Sequence, residues 1–322
     1  MQTLARKRKK RRLKVKWGRV VVAFLILMIF CVGLIQTMHY VNDTFQALQP
    51  PQKTAEAVED PFQGEEKQLE EPINVLLLGS DSRGEDQART DTIMVAHYNP
   101  QTGEAKLISL MRDMFVTVPE YGQQKLNSSF AYGGPELLRK TIKENFGLDL
   151  HYYAIIDFKG FEKAVDLLVP EGIEVDIPYE MSDGIGMTLE EGTQQLHGKE
   201  LLGYVRFRQD RLSDFGRVER QQEVIGKLKE EAVGLHSVVK LPELLDIFNT
   251  YVDTNIETTT LLSVGKNILT NNNSKIETLR IPKNGTFENQ RHETLGEGLE
   301  VDFYQNTETL KQFLEEQEEE EG

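Results

Sequence analysis

The feature that most constrains this chain is an apolar stretch near its start, VVVAFLILMIFCVGLI, at residues 20–35. Extended to Met38, the stretch has 19 residues, close to the roughly 20 that a helix needs to cross a bilayer core. Residues 1–19 contain ten Lys and Arg and no acidic residue, and such a flank stays on the cytoplasmic side. The pattern predicts a single-pass type II protein of the cell membrane. Its parts are a cytoplasmic basic tail at 1–19, a transmembrane signal anchor at 20–40 and an extracytoplasmic remainder.

A cleavable signal peptide is the alternative interpretation of the apolar stretch. It would need a cleavage site with small residues after the stretch, and the sequence there is QTMHY (36–40). An uncleaved anchor is therefore favoured. The single cysteine, Cys31, lies inside the stretch, which excludes a disulfide framework and a cysteine-based metal site.

The net charge of the whole chain, −15, hides a division between its two ends. Without the ten cations of the basic tail, the rest of the chain carries −25. An acidic globular part argues against nucleic acid as a partner, because nucleic-acid-binding domains present basic surfaces. A nucleic-acid role for the tail itself is a weaker alternative to its role in membrane topology.

The extracytoplasmic part divides into a linker, a domain and a tail. Residues 41–71 are rich in Gln, Glu, Lys and Pro, which is typical of a linker. From residue 72 to about 310, short apolar runs alternate with helical patterns, and this alternation predicts one α/β domain. The acidic tail at 311–322 is expected to be solvated.

Apolar runs and turn residues predict where the elements of this domain lie. The predicted strands are 73–79, 92–99, 105–110, 115–118, 152–157, 173–177 and 276–281. The predicted helices are 135–146, 158–168, 214 to about 235, 243–251 and 259–270.

Arginine is concentrated in a few places. After Arg19 the chain has eleven Arg and sixteen Lys, yet residues 206–220 hold five Arg and no Lys. Guanidinium groups are preferred to ammonium groups where a planar oxyanion is held by two parallel hydrogen bonds. An acidic chain with arginines grouped in this way is expected to bind phosphate or carboxylate at one place.

Spacing within the arginine-rich segment supports convergence on one site. Arg206 and Arg208 would share one face if YVRFRQD is extended. In the helix that follows, Arg217, Arg220 and Gln221 lie at i, i+3 and i+4, on one stripe. The alternative is an ordinary surface helix with salt bridges, because acidic residues are interleaved with these arginines.

Two further polar blocks follow predicted strands. In GSDSRGEDQARTDT (79–92), Asp81 and Asp91 flank Arg83 and Arg89, and two carboxylates with phosphate oxygens and waters commonly hold Mg²⁺. An ordinary polar turn remains the alternative. The second block is the charged pair Arg112-Asp113 between two apolar runs. Such a pair either protects the edge of a sheet from further strand pairing or belongs to a site.

Taken together, these blocks resemble the LytR–CpsA–Psr family of cell-wall glycopolymer transferases. The resemblance extends from Ile73 to about Ile225, and the short tail and the single anchor also fit it. The matching stretches, in chain order, are NVLLLGSDSR, RTDTIMVAHYNP, ISLMRD, KLNSSFAYGG, DFKGFEKAVDLL, LHGKELLGYVRFR and DFGRVERQQEVI.

The resemblance implies a fold and an activity. The fold would be an α/β domain with a central mixed sheet, flanking helices and a hydrophobic tunnel for a polyprenyl tail. The activity would be a phosphotransferase reaction assisted by Mg²⁺. In it, an anionic glycopolymer, such as teichoic acid or capsular polysaccharide, moves from an undecaprenyl-pyrophosphate carrier to the muramic-acid 6-hydroxyl of peptidoglycan. The new link would be a phosphodiester, and the source would be a Gram-positive bacterium.

The resemblance also implies roles for individual residues. Asp81 and Asp91 match the metal-binding aspartates, and Asp214 is the candidate acid or base. The residues that match pyrophosphate-binding or nearby positions are Arg89, Arg112, Lys125, Arg206, Arg208, Arg217 and Gln221, of which Arg112, Arg206 and Arg208 are also candidate catalytic residues.

Three other functions remain open at this point. A non-catalytic receptor or scaffold for lipid-linked glycopolymers would keep the arginines but need neither metal nor base. A pyrophosphatase would release the polymer with water as acceptor. A regulator, which the naming of some family members suggests, would need DNA binding by residues 1–19.

Overall fold

The apolar run INVLLLG forms a strand, β1 (Ile73–Ser80), whose side chains point alternately to two covered faces of one sheet. The computed structural model describes residues 61–64, 71–80, 90–232, 240–270 and 276–315. β1 pairs with an antiparallel strand, β2 (Thr92–Asn99), on one side. On its other side it pairs with a parallel strand, β6 (Tyr152–Asp157).

These three strands are the middle of a mixed sheet, which has six strands among the described residues. β3 (Glu104–Leu110) and β10 (Glu277–Ile281) lie beyond β2, and β9 (Val252–Thr254) lies beyond β6, giving the order β10-β3-β2-β1-β6-β9. β1, β3, β6 and β10 run in the same direction. Their C-terminal ends therefore meet at one edge of the sheet, where ligands of α/β folds usually bind.

The other described elements are helices and two-stranded ribbons around this sheet. The ribbons are β4 (Phe115–Val118) with β5 (Gly122–Lys125), β7 (Ile173–Ile177) with β8 (Gly192–Leu196), and β11 (Phe287–His292) with β12 (Gly296–Val301). The helices are α1 (Leu126–Phe146), α2 (Phe158–Leu168), α3 (Gly198–Arg206), α4 (Asp214–Ala232), α5 (Leu241–Tyr251), α6 (Thr258–Thr270) and α7 (Phe303–Glu315).

One face of the sheet carries the main hydrophobic core. Leu76 and Leu78 of β1 are buried there with side chains of β2 and β3, against Leu138 and Ile142 of α1 and Leu310 of α7. Burial of each such side chain contributes about 1.5–3 kcal/mol. This layer is the largest described apolar cluster, and it holds the strands that end at the candidate site.

The opposite face of the sheet is covered less completely. At the site end, α4 reaches it through Gln222, whose Nε2 lies 3.0 Å from Ser109 Oγ. At the other end, α6 packs Val264 and Ile268 against a small cluster that contains Ile73 and Val75. Between these two ends, side chains such as that of Leu77 are only half-buried. α5 is apolar at five positions, yet none of its residues is fully buried.

Predicted helix ends agree with the structure where the signals are local. Asp157 caps α2, because its Oδ1 accepts a hydrogen bond of 2.5 Å from the backbone N–H of Lys159. Gly147 ends α1 with φ 67°, a conformation that glycine adopts without strain. The predicted helix 135–146 is the second half of α1, because Gly133 and Gly134 depart from helical geometry just before it.

One condition considered for the arginine-rich segment is not met. The segment YVRFRQD is not extended throughout, because Tyr204 to Arg206 form the last turn of α3. Leu201, Leu202 and Val205 lie on the buried side of this helix, in a second hydrophobic cluster with α2 and the β7–β8 ribbon. This tertiary packing outweighs the alternating pattern of the short segment.

Several predictions fall outside the described residues. They include the basic tail at 1–19, the anchor at 20–40, most of the linker at 41–71 and the last residues of the acidic tail. Among the residues that are described, no helix has the length and apolar character needed to span a bilayer. α7 continues past residue 310 to Glu315, because Phe313 and Leu314 pack against the main core.

Part of the predicted linker packs on the domain. Phe62 contacts the main core and lies 5.0 Å, centroid to centroid, from the ring of Tyr153. The backbone N–H of Gln63 donates a hydrogen bond of 2.9 Å to Oε2 of the buried Glu136. Residues 61–64 are therefore a packed part of the domain surface.

Candidate functional site

The candidate site lies at the edge of the sheet where β1, β3 and β6 end. Ser80 and Asp157 are neighbours in register at the last positions of β1 and β6. Thr90 is fully buried beside this edge, with its hydroxyl 3.1 Å from the carbonyl oxygen of Gly79 and 2.8 Å from that of Thr92. These contacts hold the chain as it enters β2, and they place Asp91 at the edge.

Two arginines and two aspartates from three segments meet at this edge. Arg112 follows β3, and its guanidinium contacts Oδ1 of Asp91 and lies 3.6 Å from Oδ1 of Asp214. Arg217 lies one turn after Asp214 on α4, and its Nη2 is 2.6 Å from Asp214 Oδ1 and 2.9 Å from the carbonyl oxygen of Asp91. We refer to Asp91, Arg112, Asp214 and Arg217 as the edge cluster.

Burial dominates the electrostatics of the edge cluster. It raises the pKa of Asp214 above its ordinary value, although Arg217 and Arg112 act in the opposite direction. Burial also lowers the pKa of Arg217. Burial alone would lower the pKa of Arg112, but Asp214, Asp91 and Asp113 together outweigh it and raise this pKa. Asp91 differs from the other three members because its side chain is 56% exposed.

Several buried polar atoms of the edge cluster have no hydrogen bond within the described part of the chain. They are both carboxylate oxygens of Asp214 and the Nε atoms of Arg112 and Arg217. Of these, Oδ1 of Asp214 lies 2.6 Å from Nη2 of Arg217, and Nε of Arg112 lies 3.5 Å from Oδ2 of Asp113. Buried polar groups are nearly always hydrogen-bonded in folded proteins, and exceptions often mark functional sites. This arrangement is one that an added anion or a hydroxyl group would complete.

Two other predicted site residues border the edge cluster. Lys125 lies at the end of β5, and its Nζ is 3.5 Å from Oδ1 of Asp113. The other oxygen of Asp113, Oδ2, is 3.5 Å from Nε of Arg112. Gln221 of α4 is buried, and its Nε2 lies 3.0 Å from Thr92 Oγ1. Lys125 therefore adds positive charge at one side, whereas Gln221 ties α4 to β2.

Arg206 and Arg208 occupy different environments from each other. Arg206 ends α3, and its guanidinium carbon lies 4.4 Å from the ring centroid of Phe158, directly after the end of β6. Arg208 is exposed, and its charge contributes to the lowered pKa of Arg217. Arg208 is thus close enough to the edge cluster to interact electrostatically with Arg217. Arg206 lies beside the end of β6.

The structure describes only part of the predicted metal site. Asp81 and Arg89 fall outside the described residues, as does Arg83. Among the described residues, no group of three or more His, Cys, Asp or Glu side chains could hold a metal ion. Magnesium is commonly bound by one or two carboxylates together with phosphate oxygens and waters. Asp91, exposed at the edge of the sheet, fits this donor set.

The sequence did not assign Phe158 or Asp210 to the site, and it left open whether Asp113 belongs to a site or to a sheet edge. Phe158 lies under Arg206, and Asp113 joins Arg112 to Lys125. Asp210 pairs with Arg220, which turns away from the edge cluster although it shares a helix stripe with Arg217. No local signal marks Phe158, and only the repeated acidic residues around the arginines hinted at Asp210.

The family model described as LytR_cpsA_psr family matches residues 35–312. The chain belongs to the LytR–CpsA–Psr family. The regulatory protein MsrR of Staphylococcus aureus (strain COL) is 43% identical over 244 residues, which cover 76% of this chain and 75% of that protein.

Two other members of the family add information on fold and activity. A protein of Oceanobacillus iheyensis named polyisoprenyl-teichoic acid–peptidoglycan teichoic acid transferase TagU is 34% identical over 192 residues, 58% of this chain and 59% of that protein. The solved structure of TagT bound to LIIa-WTA is similar with a TM-score of 0.63 and 25% identity, and covers 83% of this chain and 98% of that one. The expectation of an LytR–CpsA–Psr-like α/β domain with a mixed central sheet is confirmed.

Proposed function

We propose that this protein transfers an anionic glycopolymer, of the teichoic acid or capsular polysaccharide type, from an undecaprenyl-pyrophosphate carrier to the muramic-acid 6-hydroxyl of peptidoglycan. The observation that carries the proposal is the edge cluster. It gathers Arg112 and Arg217, from two distant segments, at the sheet edge where α/β folds bind ligands. The family membership and the names of TagU and TagT support the same class of substrate.

The charges of the site suit a pyrophosphate. In the proposed reaction, the acceptor oxygen bonds to the phosphorus attached to the polymer, the bond from that phosphorus to the bridging oxygen breaks, and undecaprenyl phosphate leaves. Arg112, Arg217 and Arg208 hold the phosphate oxygens and offset the charge that grows on them. Arg89, Arg206, Lys125 and Gln221 complete the proposed binding residues.

Asp214 is the proposed base for the acceptor hydroxyl. Its carboxylate is nearly buried, and neither oxygen has a hydrogen bond within the described chain. Burial raises its pKa, which makes the carboxylate a better proton acceptor. In the reaction, Asp214 takes the proton of the acceptor hydroxyl as the new phosphodiester forms.

Magnesium is the proposed cofactor, with Asp91 and Asp81 as its protein ligands. When bound, it neutralises negative charge on the phosphate oxygens. The exposed Asp91 carboxylate supports this assignment, because it is the member of the edge cluster that an arriving ion can reach.

The less complete cover of the second sheet face supports a lipid-linked donor. Side chains such as that of Leu77 are half-buried there, and the apolar residues of α5 are not fully buried either. Incompletely covered apolar surface of this kind marks sites for apolar ligands. A polyprenyl chain lying along this face would have its pyrophosphate at the edge cluster. An anchor at 20–40 would keep enzyme and donor on the same outer face of the cell membrane.

The test is a transfer assay with the full-length protein in detergent. The protein is mixed with a polyprenyl-pyrophosphate-linked saccharide, uncrosslinked peptidoglycan and Mg²⁺, and the products are analysed by mass spectrometry. We expect a phosphodiester-linked adduct that disappears with chelator and with Asp91→Ala. Arg112→Ala should lower turnover by about 10²–10³-fold, as loss of a charge-stabilising donor does. Arg291→Ala, an exposed arginine of β11, is the matched control and should transfer normally.

Each other product pattern points to another function. Free polymer phosphate without adduct would show that the protein is a pyrophosphatase and not a transferase. Full transfer by folded Arg112→Ala would remove this arginine from the site. Metal-independent binding of the donor without any turnover would show that the protein is a receptor and not an enzyme.

The receptor is the second candidate because of one observation in the edge cluster. Both oxygens of Asp91 face guanidinium groups, one in contact with Arg112 and the other 3.9 Å from Arg217. In this arrangement the carboxylate is already neutralised, and a metal ion would have to displace a guanidinium. Donor binding measured with and without chelator separates the two functions.

A further inference from the structure

The segment between α3 and α4, residues 207–213, joins two groups of the proposed site. Arg208 lies near its start, and Asp214 follows it as the first residue of α4. In its middle lies Asp210, whose side chain is only 5% exposed. A carboxylate so deeply buried needs several partners, because an uncompensated buried charge is costly.

Asp210 has partners from three parts of the chain. Oδ2 lies 2.7 Å from Nη1 of Arg220 and accepts a hydrogen bond of 2.8 Å from the hydroxyl of Tyr179. Oδ1 accepts a hydrogen bond of 2.6 Å from the backbone N–H of Ser213. Burial alone would raise the pKa of Asp210, but the hydrogen bonds from Arg220 and Tyr179 outweigh it and lower this pKa, so the group is a carboxylate at neutral pH.

The partners of Asp210 also fix the backbone at both ends of the segment. Arg220 donates through Nη2 to the carbonyl oxygen of Phe207, the residue before Arg208. Ser213 has φ 49°, an uncommon conformation for a residue with a side chain, directly before Asp214. A Cβ atom at Gly216 would lie 2.8 Å from Asp210 Oδ2, so α4 approaches the carboxylate more closely than a larger residue would allow.

We propose that Asp210, held by Arg220 and Tyr179, is a positioning residue that sets Arg208 and Asp214 relative to each other and to the edge cluster. The proposal rests on the proposed function, because it assigns these two groups to pyrophosphate binding and proton transfer. One carboxylate connects both ends of the segment with α4 and with the loop that follows β7. Loss of its charge frees the segment at Phe207 and at Ser213 together.

The first experiment uses Asp210→Asn in the full-length protein, because asparagine keeps the size of the side chain and removes its charge. Binding of inorganic pyrophosphate is measured by titration calorimetry, transfer by the mass-spectrometric assay, and folding by thermal melting. We expect kcat/KM to fall by about 10- to 100-fold, as small displacements of binding groups do, and pyrophosphate to bind more weakly. Asp166→Asn is the matched control, because Asp166 accepts a backbone hydrogen bond at the other end of α3.

A double-mutant cycle separates positioning from a purely structural role. If Asp210 acts through Arg208, then Asp210→Asn should change pyrophosphate binding by less than about 3-fold in the Arg208→Ala background. Equal losses in both backgrounds would overturn the proposal. If Asp210→Asn melts below the assay temperature, Tyr179→Phe replaces it in the same cycle, because it removes a single hydrogen bond to Asp210.

The outcomes for wild type and variant address different questions. A wild-type protein that neither binds pyrophosphate nor transfers polymer would overturn the proposed function, and this inference with it. Binding by wild type with no change in Asp210→Asn would overturn the inference alone.

Discussion

Acid should destabilise this fold through His97, a half-buried histidine of β2. Burial, with smaller contributions from Lys106 and His151, lowers the pKa of His97 from 6.5 to about 4. Its Nδ1 lies 2.8 Å from Oδ1 of Asn74, an acceptor, so the neutral ring donates from Nδ1. The backbone N–H of Asn74 in turn donates 2.8 Å to Nδ1 of His151.

The sign and size of the effect follow from the difference between the two pKa values. Above pH 6.5 the ring is neutral in both states, and folding stability is independent of it. Between pH 6.5 and about 4, His97 is protonated in the unfolded chain but stays neutral in the folded protein. The free energy of unfolding therefore decreases as pH falls. The loss is about 2 kcal/mol at pH 5 and reaches about 3 kcal/mol below pH 4.

The assay compares wild type with His97→Gln by denaturant unfolding between pH 4 and pH 7. Glutamine does not titrate, so the stability difference between the two proteins should shift by about 2 kcal/mol from pH 7 to pH 5 in favour of the variant. A histidine NMR titration of the folded wild type checks the pKa directly. Parallel pH profiles of the two proteins, or a His97 titration near pH 6.5, would refute the reasoning.

Three further predictions concern the edge cluster and the packed linker. Arg217→Met should cost about 3–5 kcal/mol because it leaves Asp214 buried without its nearest cation, and adding Asp214→Asn should restore much of this stability in denaturant unfolding. Phe62→Ala should lower stability by about 1–2 kcal/mol without changing pyrophosphate affinity, since Phe62 packs on the core side. Asp91→Asn should bind inorganic pyrophosphate more tightly than wild type when metal is absent, because it removes the anion that competes for the guanidinium groups; weaker metal-free binding in calorimetry would contradict this.

Local patterns predicted five of the six strands of the described sheet and missed the short edge strand β9. Continuous apolar runs such as that of β1 predict strands with apolar residues on both faces, and turn residues separated them into strands with nearly correct bounds. The arginine-rich helix was also placed correctly, starting at Asp214. These elements were predicted correctly because their sequence patterns are local and do not depend on residues distant in the chain.

The failures share a dependence on tertiary partners. The pattern of YVRFRQD placed Arg206 and Arg208 on one face only if the segment is extended, but the cluster around α2 and the β7–β8 ribbon selects a helix up to Arg206. Likewise, spacing grouped Arg220 with Arg217, and only the position of Asp210 in space gives the two arginines different partners. Patterns within a segment reveal which residues share a face but not what that face meets.

The edge cluster must be stable both without its ligand and with it, and Asp91 is the residue on which this depends. Arg112 and Arg217 are close enough for the charge of one to lower the pKa of the other, so without carboxylates they would repel each other in a buried site. Asp214 is buried and stays with them, whereas Asp91 is exposed and can exchange its partners. Under the proposed function, an arriving pyrophosphate would replace Asp91 at the guanidinium groups, and the released carboxylate would then be free to bind a cation. Binding of the anion and binding of Mg²⁺ would therefore favour each other, since each removes a competitor of the other.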